Sequence, residues 1–231
     1  MIKCPQCTRP VDDQAETCYC CGYSIRFARK AFGSNLVQMP RLHDAAHCLR
    51  KQDRDDVSDV LDLLESRFPQ LSFCAYLGAL QPNVSVRELG FWLLNHVTVG
   101  GLEFSRPNEN AVLLVLDVNS KQAGFSLGYF TEDLLDETDC HTVLQKARPY
   151  FMNADYGTAL MVLYKKLARV LGRRARQIAK LPPELRHDRR ATAQSLDVNP
   201  GVVGGRHVSS HREGAQHSES SGVRFADASS Y

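Results

Sequence analysis

The chain has 231 residues, of which 43% are hydrophobic and 8% aromatic, enough for one independently folding core with appendages. The net charge of +2 singles out no class of partner, but the charge is segregated: nine Lys and Arg face seventeen Asp and Glu over 43–163, and ten face two over 164–190. No stretch approaches the roughly 20 apolar residues of a membrane span, and "MIKCPQCTRP" has no apolar run of the kind a cleavable leader needs. A reducing cytoplasm is therefore the expected compartment, where clustered cysteines read as metal ligands before disulfides.

The first element is "CPQCTRPVDDQAETCYCC", which packs five of the eight cysteines between Cys4 and Cys21. Cys4-Pro-Gln-Cys7 and Cys18-Tyr-Cys-Cys21 are two C-x-x-C units ten residues apart. Each such turn aims two thiolates at one point, and two turns close a tetrahedral zinc site. Gly22 supplies permissive backbone after the second pair, whereas Thr8 stands where a second glycine is more usual. Using Cys20 would create the less usual Cys18-x-Cys20 spacing, so Cys21 is the expected fourth ligand. The competing reading, a set of free or redox-active thiols, leaves two correctly spaced pairs unexplained. Four sulfurs leave no open coordination position, so this zinc is expected to be structural, with about 10–16 kcal/mol of folding free energy resting on it. Residues 1–24 are thus expected to form a zinc ribbon, and 25–40 a mixed basic and apolar connector.

A larger body follows over 41–185. Val57, Val60, Leu61, Leu64 and Phe68 recur every three or four residues and predict an amphipathic helix. "LSFCAYLGAL" predicts a buried strand. "SVRELGFWLLNHV" predicts a helix capped by Ser85, with Leu89, Trp92 and Leu93 on its apolar side. The run from Val112 to Val118 is apolar except for Asp117 and predicts a strand. "QAGFSLGYF" pairs with it as a hairpin across "NSKQ". "DCHTVLQKARPYFMNADYGTALMVLYKKLARVLGRRARQIAKL" predicts two helices, interrupted near Pro149 and at "MNAD". Cys48, Cys74 and Cys140 lie in apolar surroundings and read as core fillers. Residues 186–231, dominated by Ser, Gly, Arg and His, predict a disordered tail.

Three segments of this body resemble one known family. "LHDAAHCL" is similar to the D-x-A-x-x-L opening of the TPM domain. "NENAVLLVLDVNSKQAGFSLGYFTEDLLDE" resembles its second signature, and "ARPYFMNADYGTAL" its P-x-F-x-x-G-D-Y-x-x-G-L segment, with Pro149, Phe151, Asp155 and Tyr156 in place. The resemblance spans Arg41 to about Leu171. It implies an α/β domain with helices packed on both faces of a small, about four-stranded sheet. It also implies an association with phosphatase activity, divalent-cation binding and the upkeep of membrane protein complexes. The acidic residues carried over are Asp44, Glu132 and Asp155, with Asp117 and Asp136 as neighbours. Three family glycines are replaced here, by Phe130, Ala111 and Ala154.

Carboxylates on separate loops can converge on a calcium or magnesium ion where strands end, and such an ion could activate water. Asp44, Glu132, Asp136 and Asp155 are the candidate ligands of such a cation, and Asp44, Glu132 and Asp155 the candidate catalytic set of a phosphatase. The competing reading is that the acids of "TEDLLDETD" are a solvated loop and helix start, placed there by the helix dipole. For the basic run "YKKLARVLGRRARQIAKL", the reading is a last helix packed by Leu167, Val170, Leu171, Ile178 and Leu181, with its cations in solvent. A nucleic-acid or anionic-membrane contact is its competitor, and the lack of aromatics after Tyr164 in this run argues against single-strand binding. The leading functional expectation is a protein-binding scaffold, with a metal-dependent phosphatase as alternative and a nucleic-acid-associated protein behind it.

Overall fold

The computed structural model describes residues 2–12, 14–82, 84–99 and 108–180. Its elements in chain order are β1 (Ile2–Lys3), β2 (Pro10–Val11), α1 (Ile25–Phe32), β3 (Val37–Met39), β4 (Leu42–Asp44), α2 (Lys51–Arg67), β5 (Ser72–Gly78), α3 (Val86–His96) and β6 (Val97–Val99). A short 3-10 turn at Asn108–Asn110 then leads to β7 (Ala111–Asp117), β8 (Gln122–Leu127), α4 (Tyr129–Glu132), α5 (Glu137–Met152) and α6 (Tyr156–Ala179).

The main sheet has four strands in the order β4-β5-β7-β8. The first three run parallel, and β8 returns antiparallel from β7 as the hairpin pattern predicts. All seven residues of β7 are buried, because both faces of the sheet are covered, which is why its sequence is an unbroken apolar run rather than an alternation. Val112, Leu114 and Leu116 point to one side, into a core shared with α2, α5 and α6. Leu113 and Val115 point to the other, against α3. The expected architecture, helices on both faces of a small four-stranded sheet, is what the chain adopts.

Local signals set the element ends. Ser85 caps α3 by accepting from the Glu88 amide, while the Glu88 carboxylate accepts from the Ser85 amide, a reciprocal capping box. Pro149 lies inside α5 instead of breaking it: the helix runs on to Met152, with Ala147 and Phe151 on either side of the proline buried in the core, so packing carries the helix past the donor that Pro149 lacks. The break comes at Asn153–Asp155, where Ala154 adopts φ 57°. This is the position where the resemblance puts a glycine, and Ala holds the left-handed conformation there without one.

The stretch 25–40, expected to be a connector, is built into the fold. Ser24 caps α1 by accepting from the Phe27 amide, and α1 ends at Gly33 with φ 96°. Ala28 is buried, Phe32 packs on Trp92 at 5.7 Å between ring centroids, and Trp92 Nε1 donates to the Gly33 carbonyl at 2.9 Å. Downstream, β3 pairs in parallel with β6. The tail expected over 186–231 lies outside the described residues, as does Leu181.

Gly128 fixes the start of α4: a Cβ there would come 2.2 Å from the Asn108 carbonyl oxygen and 2.3 Å from that of Glu109. Replacing Gly128 with Ala should therefore cost roughly 1–3 kcal/mol through displaced backbone. Ala154→Gly should add roughly 0.5–1 kcal/mol, the relief of a left-handed Ala less the entropy glycine adds to the unfolded chain. Urea denaturation of both variants checks the opposite signs.

Candidate metal centre

Two matching turns build the cysteine centre. In the first, the Cys4 amide donates to the Arg9 carbonyl at 2.9 Å and the Thr8 amide to the Cys4 carbonyl at 2.9 Å. In the second, the Cys18 amide donates to the Tyr23 carbonyl at 2.8 Å and the Gly22 amide to the Cys18 carbonyl at 2.9 Å. Thr8 and Gly22 occupy equivalent left-handed positions, with φ 63° and 74°. The β1–β2 pair and the Thr17–Ser24 bridge hold the two turns.

The Sγ atoms of Cys4, Cys7, Cys18 and Cys21 all lie within 4.8 Å of one another. Cys4 and Cys21 approach to 3.6 Å and Cys7 and Cys18 to 3.7 Å. Tetrahedral thiolate coordination with bonds near 2.3 Å requires sulfurs about 3.8 Å apart, so the four can hold a metal ion with little movement. Among the described residues this is the one such group of Cys, His, Asp and Glu side chains, and exposed Cys20 is outside it. Crowding splits the thiols. The Cys21 backbone amide leads the interactions that draw Cys18 down to about 7. Cys21 accepts from the Tyr23 amide, which favours its thiolate, but burial and the other three sulfurs push it up to about 12. A dication reverses that mutual repulsion, so binding must expel protons.

Cys4 and Cys18 are buried, and together with Val11, Tyr23 and Met39 they join the core formed by Leu89, Trp92, Leu113 and Val115. The cysteine turns thus belong to a module that closes the second face of the sheet. Clustered cysteines were legible in the sequence; this docking was not, because an amphipathic stretch as short as α1 does not say which distant surface it packs against.

The acidic residues predicted as ligands divide between the two ends of the sheet. Asp44 closes β4 and Asp155 caps α6 at the end where the parallel strands finish. Asp117 ends β7 on the same edge. Glu132 and Asp136 follow β8, at the opposite end. Arg174 ties Asp136 to the far part of α6, and the 18 helical steps from Tyr156 to Arg174 span about 27 Å. One ion therefore cannot take all four predicted ligands. The catalytic trio Asp44, Glu132 and Asp155 is divided in the same way.

Each of these carboxylates has a local task. Burial opposes ionisation of Asp44, yet the amides of Leu49 and Cys48, the Cys48 thiol and Arg54 outweigh it and hold its carboxyl below the usual value. Asp117 is likewise lowered against burial, by the Ser120 hydroxyl and the amides of Leu80, Asn119 and Ser120. For both, the stability gained is present above the ordinary carboxylate pKa and is lost as pH falls through the lowered folded value. Asp155 accepts from the Thr158 amide at 3.2 Å and Asp136 from the Asp139 amide at 2.7 Å, each capping a helix. Glu132 and Asp136 line an open cavity of about 230 Å³ beside Arg174.

The family model described as the TPM domain matches residues 42–170, more than half of the chain. The chain belongs to the TPM domain family. The match begins at β4 and ends within α6, so the cysteine module precedes the TPM domain. Two structures determined by solution NMR are similar. The N-terminal domain of a Corynebacterium glutamicum protein is 14% identical with a TM-score of 0.44, covering 57% of this chain and 79% of that one. The N-terminal domain of a P. gingivalis protein is 18% identical with a TM-score of 0.44, covering 62% and 87%. No curated protein matches the chain significantly. Among the described residues, no helix is long and apolar enough to cross a membrane.

The chain's one tryptophan reports on the module, since Trp92 touches Phe32 and Gly33. Chelating the bound metal should shift Trp92 emission to longer wavelength and lower the melting temperature. Cys21→Ser should reproduce both changes and Cys20→Ser neither. Metal affinity should also fall as pH is lowered, because protons compete with the ion for the four thiolates; metal titrations at several pH values followed by Trp92 emission check this.

Proposed function

We propose that this TPM-domain protein is a scaffold whose zinc-stapled N-terminal module docks a protein partner. Zinc is the ion this donor set suits: four thiolates in a tetrahedron select it over hard cations. All four coordination positions are taken by protein sulfur, so the ion holds structure and performs no chemistry.

The carrying observation is where the exposed apolar surface lies. Of the eight large hydrophobic side chains exposed among the described residues, five fall between positions 19 and 37: Tyr19 (76%), Ile25, Phe27, Leu36 (77%) and Val37. Such concentration on one small module, beside a β3 strand with Val37 on it, fits protein recognition better than an arrangement of scattered exposed residues.

The phosphatase alternative has less to support it. Glu132 is at the other sheet end from Asp44 and Asp155, and Asp44 already accepts hydrogen bonds or an ion pair on both oxygens. If a calcium or magnesium ion binds, the edge with Asp44, Asp117 and Asp155 is where it belongs, outside the carboxyl ends of parallel strands.

Photo-crosslinking of the zinc-loaded chain should trap a partner that is lost in a Tyr19→Ser, Phe27→Ser, Leu36→Ser variant and retained in Glu132→Gln. Equal capture by the triple variant would sink the docking role. For the alternative, phosphomonoester hydrolysis with magnesium or calcium should show no turnover above a Asp44→Asn, Asp155→Asn control; turnover that this variant loses would replace the scaffold reading with an enzyme.

A further inference from the structure

Helix α6 contains six Lys and Arg and no Asp or Glu in its 24 residues. The structure decides where they point. At about 100° per residue, Lys165, Arg169, Arg173, Arg176 and the C-cap Lys180 fall within a sector of roughly 80°. All five are exposed, and the sector is opposite the side bearing Tyr156, Leu160, Leu163, Leu167 and Leu171, which is buried in the core. The row is about 22 Å long with close to one cation per turn. Arg174 is turned away from it, paired with Asp136 and Asp139.

A second helix adds to the row. A Cβ on Gly172 would come 2.8 Å from an Arg67 guanidinium nitrogen, so the missing side chain leaves room for Arg67 of α2 to lie over α6 between Arg169 and Arg176. The Arg67 guanidinium also sits 5.4 Å from the centre of the Phe68 ring, which steadies it. Arg173 reaches Asp139 Oδ1 at 3.4 Å, a long contact that a phosphate can replace.

We propose that this row binds the phosphodiester backbone of a nucleic-acid duplex. A rigid straight line of cations complements a regular line of phosphates, spaced about 3.4 Å per strand along the duplex axis. The side chains interleaved with the cations on the outer side, Gly172, Ala175 and Ala179, are small, so nothing holds the backbone off the helix. The row carries no large apolar residue to sink into a bilayer, as an interfacial helix needs, and no aromatic ring to stack an unpaired base. Binding is therefore expected to follow charge and shape and to be indifferent to base sequence. This surface is on the opposite face of the sheet from the cysteine module, so it acts independently of the docking role proposed above.

The test is fluorescence anisotropy of the full-length, zinc-loaded chain with a labelled 20-base-pair duplex. With about five of the six cations, Arg67 included, each neutralising a phosphate, the slope of log K against log salt should be near −4.5, a loss of roughly 500-fold between 50 and 200 mM salt. Arg169→Gln, Arg176→Gln, Lys180→Gln should weaken binding at least about tenfold and bring the slope near −2. An equal loss of charge placed elsewhere, Arg9→Gln, Lys51→Gln, Arg87→Gln, should stay within about twofold. All six positions are exposed, and circular dichroism verifies that both variants fold. No duplex binding, equal losses in the two variants, or no loss in the first would each overturn the proposal. Tighter binding to vesicles of phosphatidylserine, lost with the same three cations, would overturn it in favour of a membrane surface.

Discussion

Strand β7 places hydrophobic side chains on both of its faces, and neither set can be left in water. Val112, Leu114 and Leu116 require one apolar layer; Leu113 and Val115 require another. Burying five such side chains is worth on the order of 10 kcal/mol, comparable to the whole net stability of a domain. The first layer is complete, with α2, α5 and α6 lying together. The second has α3 and Val97 of β6 from the TPM domain, and the N-terminal module with α1 adds Cys4, Val11, Tyr23, Ala28 and Met39. An ion held by the four cysteines would therefore matter to the larger domain, because it would brace part of that domain's cover.

This arrangement also explains where function can reside. A module that packs on the sheet through part of its surface leaves the rest available, and Tyr19, Phe27 and Leu36 are exposed there. The opposite layer solves its own problem differently. Helix α6 uses one side for the core and carries a row of cations, small residues and a neighbour's arginine on the outer side. The two surfaces are separated by the thickness of the sheet, so each can be altered without disturbing the other.

The carboxylates show why a motif in sequence need not be a site in space. Asp44, Asp117, Asp136 and Asp155 all sit at element ends, where free backbone amides gather and a short carboxylate is the natural acceptor. Their recurrence at strand and helix termini follows from this geometry alone. Only Asp44, Asp117 and Asp155 share an edge, and the length of α6 keeps Glu132 and Asp136 from joining them.

Local chemistry determined much of this protein directly from the sequence. The C-x-x-C spacing brought four sulfurs together because each turn is closed by its own backbone hydrogen bonds. The Ser85–Glu88 capping box started α3, and the apolar run at 112–116 specified a strand buried on both faces. What required the tertiary structure were relations between distant segments. Residues 25–40 acquired a helix and a strand because Trp92 and β6 were there to receive them. Pro149 stayed within a helix whose flanking Ala147 and Phe151 are buried in the core. The predicted acids were parted by a helix whose direction no local pattern encodes. The cations of α6 became one row, with Arg67 laid across Gly172, once packing had fixed which side of the helix faced the core.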